Sequence, residues 1–201
     1  GDIPGSITRI KKAIKKKKLS WTDINERVRK VLFAKYQYGL ANPVTIDLHN
    51  LTNDLNKDIP AMRRRAAEQG LTMLQNENSI LPFPPGTTRR VAYIGIGLNQ
   101  DNRFAERMRA DYKAHTYYFD YGMDSAKADA LLALMQGRYD VVITGFHNYN
   151  RRPANNFGIS TAAVYLADQV SRRQQSITVF FGNPYAIKNA CNSPAIIAAY
   201  E

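Results

Sequence analysis

A single cysteine, Cys191, stands among 201 residues, so an internal disulfide is excluded. No group of Cys and His surrounds it, and zinc-type ligand spacing is absent as well. Neither a metal nor a cofactor is expected, and the redox compartment stays open. Long apolar runs are also lacking. The longest, such as Ala195 to Tyr200, have strand length and fall far below the roughly 18 consecutive residues of a membrane span, so no membrane partner is expected. Acidic residues are scarce: 17 Asp and Glu oppose 28 Lys and Arg, leaving a formal charge of +11.

That balance makes a polyanion a legitimate partner class, and the location of the charge decides its meaning. Much of it sits on Lys11, Lys12, Lys15, Lys16, Lys17 and Lys18, above Ile7, Ile10 and Ile14 at helical spacing. This reads as the solvated face of an amphipathic helix. No aromatic residues interleave these lysines and no recognisable binding module follows, so nucleic acid is not the expected partner.

A length of 201 residues holds one α/β domain plus an appendage, and a full barrel beside a second domain does not fit. The chain opens on Gly1 and stops at Glu201 directly after a predicted strand, which leads us to expect a piece of a longer protein. Ser6 to about Lys18 is the lysine helix. Ser20-Trp21-Thr22-Asp23 then offers a capping-box start for a second helix, with Ile24, Val28, Val31 and Leu32 on one face until Gly39 stops it. The two are expected to form a helical hairpin. Residues 42–56 read as a connector, and 57–75 as a helix in which Met62, Ala66 and Leu74 face inward and Gly70 serves packing. Leu81 to Gly86, with three prolines, is the entry into a new pattern.

From Arg90 strands and helices alternate. Strands are predicted at Val91 to Ile96, Thr116 to Tyr121, Val141 to Phe146, Ile177 to Phe181 and Ala195 to Tyr200; helices at Phe104 to Lys113, Ser125 to Gln136, Thr161 to Arg172 and Tyr185 to Ala190. Continuous apolar strands joined by helices of this length predict an α/β fold with an open, doubly wound, mostly parallel five-stranded sheet preceded by a helical segment. Flavodoxin-like order 2-1-3-4-5 is preferred, and a Rossmann-like order stays open.

Ligands of such sheets gather beyond the carboxyl ends of the strands. Gly95-Ile96-Gly97 begins one such loop, but Gln100 stands where a dinucleotide fingerprint needs its third glycine, so a plain tight turn is expected. The loop from His147 to Phe157 is the most ligand-like stretch. Its His147, Asn148, Tyr149, Arg151, Arg152 and Asn155 can hydrogen-bond to and stack on a sugar, or hold an anion; the plain alternative is a solvated loop. His147 has no assignable Ser, Cys or Asp partner, which leaves a catalytic triad unsupported. Glycoside hydrolysis needs two carboxylates, and nothing in the spacing of Asp101, Asp120, Asp124 and Asp140 selects a pair. Asp124 reads as a helix cap and Asp140 as the start of a strand. No catalytic residue is assigned. Tyr117, Tyr118 and Tyr121 read as core before they read as a sugar platform.

Two segments resemble the carboxyl-terminal part of glycoside hydrolase family 3. Asp23 to Leu40, with Val28-Arg29-Lys30-Val31-Leu32 and Lys35-Tyr36-Gln37-Tyr38-Gly39-Leu40, is similar to the family's segment leaving the barrel, where Val-Arg-Arg-Ile-Leu and Lys-Tyr-x-x-Gly-Leu are typical. Arg65 to Pro82, followed by the strand Val91-Ala92-Tyr93-Ile94-Gly95, is similar to the opening of the family's second domain. Gln75 departs from the lysine of the family's Leu-Leu-Lys-Asn stretch. The resemblance implies residues 1–56 as the tail of a barrel plus linker, and 57–201 as an α/β sandwich domain truncated at its carboxyl end.

It further implies a retaining exo-glycosidase as parent, whose aspartate nucleophile lies on a (β/α)8 barrel outside this chain. No residue here matches that nucleophile motif, nor the Lys-His-Phe-Pro-Gly segment and Asp-His loop of the N-acetylglucosaminidase branch. Asp2-Ile3-Pro4-Gly5 leading into the lysine helix looks most like that branch. The implied role is a non-catalytic accessory domain, of a β-N-acetylhexosaminidase by preference, with the catalytic barrel and a carbohydrate as partners. A basic module binding polyanions and a nucleotide-binding α/β protein are the alternatives.

Overall fold

A computed structural model describes residues 1–200, and of Asn78 only the backbone. The chain divides into two compact units, residues 1–57 and 58–201.

The first unit holds α1 (Ile3–Lys15), α2 (Trp21–Gln37) and the short α3 (Leu51–Asn56). The reason α2 starts and stops where it does is local. Asp23 N–H donates to Ser20 Oγ at 3.1 Å while Ser20 N–H donates to Asp23 Oδ2 at 2.9 Å, the reciprocal box that satisfies two orphan donors. At the other end Gly39 turns to φ +76, so that Gly39 N–H reaches Tyr36 O and Leu40 N–H reaches Lys35 O, each at 3.0 Å. The two helices do not pack together as the expected hairpin would, and neither buries a residue. Val28, Val31, Leu32 and Phe33 remain about half or more exposed, because nothing within the unit covers the apolar stripe. α3 lies inside the segment read as a plain connector; the Asn50 amide bonds Asp54 Oδ1 and the Asn53 amide bonds Asn50 Oδ1, which organise that single turn.

The second unit opens with α4 (Ile59–Gly70), which has proline in its first turn, and β1 (Thr72–Asn76). The helix expected over 57–75 is therefore shorter, and its last turn is a strand. Gly70 ends the helix and has no packing reason, since a Cβ there would meet nothing within 4 Å. Met62, Ala66 and Leu74 are exposed and do not face inward. Pairing with the open edge of a sheet wins over the helical spacing here, because edge N–H and C=O groups need partners.

That sheet contains β2 (Val91–Ile96), β3 (His115–Phe119), β4 (Val141–Phe146), β5 (Ser176–Phe180) and β6 (Ala195–Ala198) beside β1. The order is β1-β6-β5-β4-β2-β3, with β2 to β6 parallel and β1 antiparallel to β6. The five strands expected from sequence thus take the flavodoxin-like order, and β1 is a sixth strand added at the edge. Helices α5 (Arg103–Tyr112), α6 (Ser125–Met135) and α7 (Thr161–Arg173) connect them. The segment Pro184–Ala190 forms 3-10 turns where a short α-helix was expected.

Every residue of β2, β4 and β5 is buried, as strands covered on both faces must be. On one face Ile94, Ile96, Phe146 and Phe180 pack with Leu132, Met135, Leu166 and Val170 from α6 and α7. On the other, Tyr93, Val141, Ile143 and Ile177 pack with Ala105 and Met108 of α5. Hydroxyls buried between strands are paired: Thr144 with Thr178 at 3.0 Å, Thr178 to Ser193 at 2.8 Å, and Ser193 to Ala195 O at 2.9 Å. β3 is the far edge, so of its residues only Phe119 is buried, and Tyr117 and Tyr118 are half-buried with their hydroxyls bonded to Tyr139 and Asp101.

Candidate functional site

The loop that follows β4 is bolted to the carboxyl ends of the parallel strands by its first three residues. His147 is 7% exposed and lies inside the protein. Its Nε2 is 2.6 Å from Tyr93 Oη, and its ring stacks on Phe181 with centroids 4.2 Å apart. Asn102 accepts from Ala105 N–H with its Oδ1, capping α5, which leaves its amide nitrogen facing His147 Nδ1 at 3.4 Å. Nδ1 is then the acceptor, and Nε2–H donates to Tyr93. Burial pushes the imidazole pKa down to about 4, so the ring is neutral at physiological pH. The same burial raises the phenol of Tyr93.

Two glycines make this arrangement possible. A Cβ at Gly145 would lie 2.7 Å from Tyr93 Oη and 2.9 Å from His147 Nε2. Gly97 adopts φ +80, and a Cβ there would meet His147 O at 2.2 Å. The Gly95-x-Gly97 turn is thus explained by close approach of two backbones, with no phosphate cradle needed. Asn148 donates to Gly97 O at 3.0 Å and Tyr121 Oη to His147 O at 2.7 Å, tying the loop to the β2 and β3 ends.

Farther along, Tyr149 donates to Asn183 O at 3.1 Å and packs edge-on against Phe157 and Phe180. Asn183 returns a bond to Arg151 O at 2.7 Å, closing the loop onto the turn after β5. Asn155, Asn156 and Phe157 all take left-handed φ, at 51°, 53° and 61°. Such a run costs on the order of 1 kcal/mol or more per residue. It is held by burial of Phe157 at 1% exposure, by Asn150 N–H on Phe157 O at 2.7 Å, and by the Asn156 amide on Asn189 Oδ1 at 3.0 Å.

Of the six predicted site residues, the fold brings Tyr149 and Arg151 to one shallow cleft of about 410 Å³, shared with Asn183, Tyr185 and Tyr200. His147 and Asn148 brace the loop instead, and the exposed Arg152 and Asn155 do not line the cleft. Tyr185, 79% exposed, and Tyr200 come from the ends of β5 and β6. No motif marks them; only their position just past a strand end could have drawn attention. Three tyrosines, an arginine and an amide at a strand-end cleft suit a polyhydroxylated ligand, with rings for stacking and polar groups for hydroxyls.

The carboxylates have structural partners. Asp101 pairs with Arg109 and accepts from Tyr118, and Asp124 caps α6 through Lys127 N–H at 2.9 Å. Asp120 accepts from Gly122 N–H at 2.8 Å. Asp140 forms a bidentate pair with Arg90, which lowers its pKa to about 2. Among the described residues no three His, Cys, Asp or Glu side chains are placed to hold a metal ion, and no helix is long and apolar enough to cross a membrane.

No protein-family model matches the sequence, and no curated protein is similar to it. Solved structures are. A β-glucosidase from Listeria innocua, in complex with laminaribiose, is 21% identical with a TM-score of 0.71, over 94% of this chain and 30% of that one. A glycoside hydrolase family 3 β-N-acetylglucosaminidase from Paenibacillus sp. str. FPU-7 is 17% identical with a TM-score of 0.55, over 94% and 36%. A β-glucoside phosphorylase is 14% identical with a TM-score of 0.63, again over 94% and 36%. The chain therefore has the fold of one part of these glycoside-processing enzymes and spans about a third of their length.

Proposed function

We propose that this chain is the non-catalytic, carboxyl-terminal α/β domain of a retaining exo-glycosidase of glycoside hydrolase family 3, and that residues 1–56 are the tail of its (β/α)8 barrel. The observation that carries the reading is a fold match over 94% of this chain and only 30% of a β-glucosidase. Two features support it. The described aspartates near the strand ends have structural partners, which fits a domain without its own carboxylate pair. The apolar stripe of α2 is uncovered, which fits a segment that buries it on another domain.

In the parent, the domain packs on the barrel and lends the cleft of Tyr149, Arg151, Tyr185 and Tyr200 to the sugar. The amino-terminal Asp2-Ile3-Pro4-Gly5 segment favours a β-N-acetylhexosaminide as substrate. Higher TM-scores to β-glucosidase structures than to the β-N-acetylglucosaminidase favour a β-glucoside as the second reading. Amide hydrogen exchange on residues 1–56 tests the docking. Slow exchange of α2 amides in the full parent, with fast exchange in this chain alone, is expected. Equal protection in both would overturn the barrel-tail assignment.

A further inference from the structure

A second cleft, of about 530 Å³, lies at the opposite, amino end of the sheet. Its walls are the turn 87–90 before β2, the end of α5 and the turn between α6 and β4. Four cations line it: Arg89, Arg90, Lys113 and Arg138. Of these, Arg90 forms an ion pair with Asp140, and this pair has a structural task. Arg90 N–H and Nη2 each donate to Asp140 at 2.7 Å, pinning the turn 87–90 to the start of β4.

Among the described residues the other three cations form no ion pair, although Arg89 acts at longer range with Arg90 to hold the Asp140 carboxyl low. Arg89 Nη1 donates to the neutral Gln175 Oε1 at 3.3 Å, and Arg138 Nη1 to Leu134 O at 3.3 Å. Lys113 occupies a left-handed position at φ +54, closing α5 through its own N–H on Arg109 O. Thr87 and Thr88 add hydroxyls to the same wall. Three cations without an ion pair among the described residues line one concave surface, on a frame held by the Arg90–Asp140 pair, and such a surface suits an oxyanion. The lysine helix differs: its charges are exposed along one helix and do not line this cleft.

We propose that this cleft binds a ligand carrying two or more phosphate or sulfate groups, bridged between Arg89, Lys113 and Arg138. The proposal does not rest on the glycosidase reading, because it concerns the end of the sheet away from the cleft of Tyr149 and Arg151. Pyrophosphate and a disulfated disaccharide are the probes, titrated into the 201-residue chain with amide chemical shifts and calorimetry as readouts. Saturable binding of either probe is expected, with shifts concentrated at residues 87–90, 113 and 137–139, and the tighter probe names the source of the anion.

Replacing Arg89, Lys113 and Arg138 together by Gln should weaken binding by at least about tenfold, since each charge-assisted bond removed is worth about that. Replacing Lys15, Lys16 and Lys18 by Gln removes the same net charge and should cost less than about twofold at physiological ionic strength, where distant exposed charges are screened. Absence of saturable binding by both probes would overturn the proposal. So would shifts spread along the lysine helix, or equal losses in the two triple variants. The shift map on the unaltered chain decides the matter even if a variant fails to fold.

Discussion

Acid should unfold this protein partly through one buried ring. Among the described residues His147 has no charged partner; Tyr93, Asn102 and Phe181 pack against it, and burial moves its pKa from 6.5 down to about 4. The unfolded chain therefore takes up a proton near the ordinary histidine value, and the folded chain only near the lower one. Between the two the unfolded state binds more protons, so stability is fully present above the ordinary value and is lost as pH falls toward the depressed one. The whole shift is worth up to about 3 kcal/mol, of which about 2.5 kcal/mol is gone by about pH 4.5. Carboxylates such as Asp140, held low by Arg90, add losses at still lower pH. Urea unfolding of the native chain and of His147→Gln over this range separates the terms, because the carboxylate losses are common to both. The gap between the two proteins should narrow by about 2 kcal/mol or more from neutral to about pH 4.5. A constant gap would refute the reasoning, as would an NMR titration of His147 near its ordinary value; the latter needs no variant.

Three further outcomes are expected. Gly97→Ala should cost more than about 2 kcal/mol, since the added carbon meets His147 O at a positive φ, while Gly70→Ala should stabilise by about 0.5 kcal/mol; thermal unfolding checks both. Sedimentation should show concentration-dependent association of the chain alone through the exposed Val31, Leu32 and Phe33, and Leu32→Asp with Phe33→Asp should abolish it. Tyr185→Ala, at a position 79% exposed, should leave stability within about 0.5 kcal/mol and raise KM of the parent enzyme; an unchanged KM would remove the cleft from the sugar path.

The central strands were legible because burial on both faces writes a continuous apolar run, and β2 and β4 begin and end where the sequence places them. Caps were legible for a similar reason. Ser20, Asp124 and Gly39 act within a few residues, and their chemistry needs no tertiary partner. β1 was not legible: Met73 and Leu74 stay exposed, and pairing with β6, more than a hundred residues away, decides their conformation. The loop after β4 stood out by its composition, yet composition could not separate residues that brace from residues that face solvent. His147 reads as a ligand contact and is buried against Tyr93, a partner on another strand that its local sequence does not reveal. Tyr185 and Tyr200 reach the cleft through the order of β5 and β6, which the local sequence does not encode.

The central claim, an accessory domain whose chemistry resides elsewhere, is tested most directly by hydrolysis of chromogenic β-N-acetylglucosaminide and β-glucoside. Both are offered to this chain alone and to the parent chain extended upstream through a barrel. The account predicts no turnover by the 201 residues, turnover by the extended chain, and a preference that names the sugar. Turnover by this chain alone would place a working carboxylate pair within it and contradict the account.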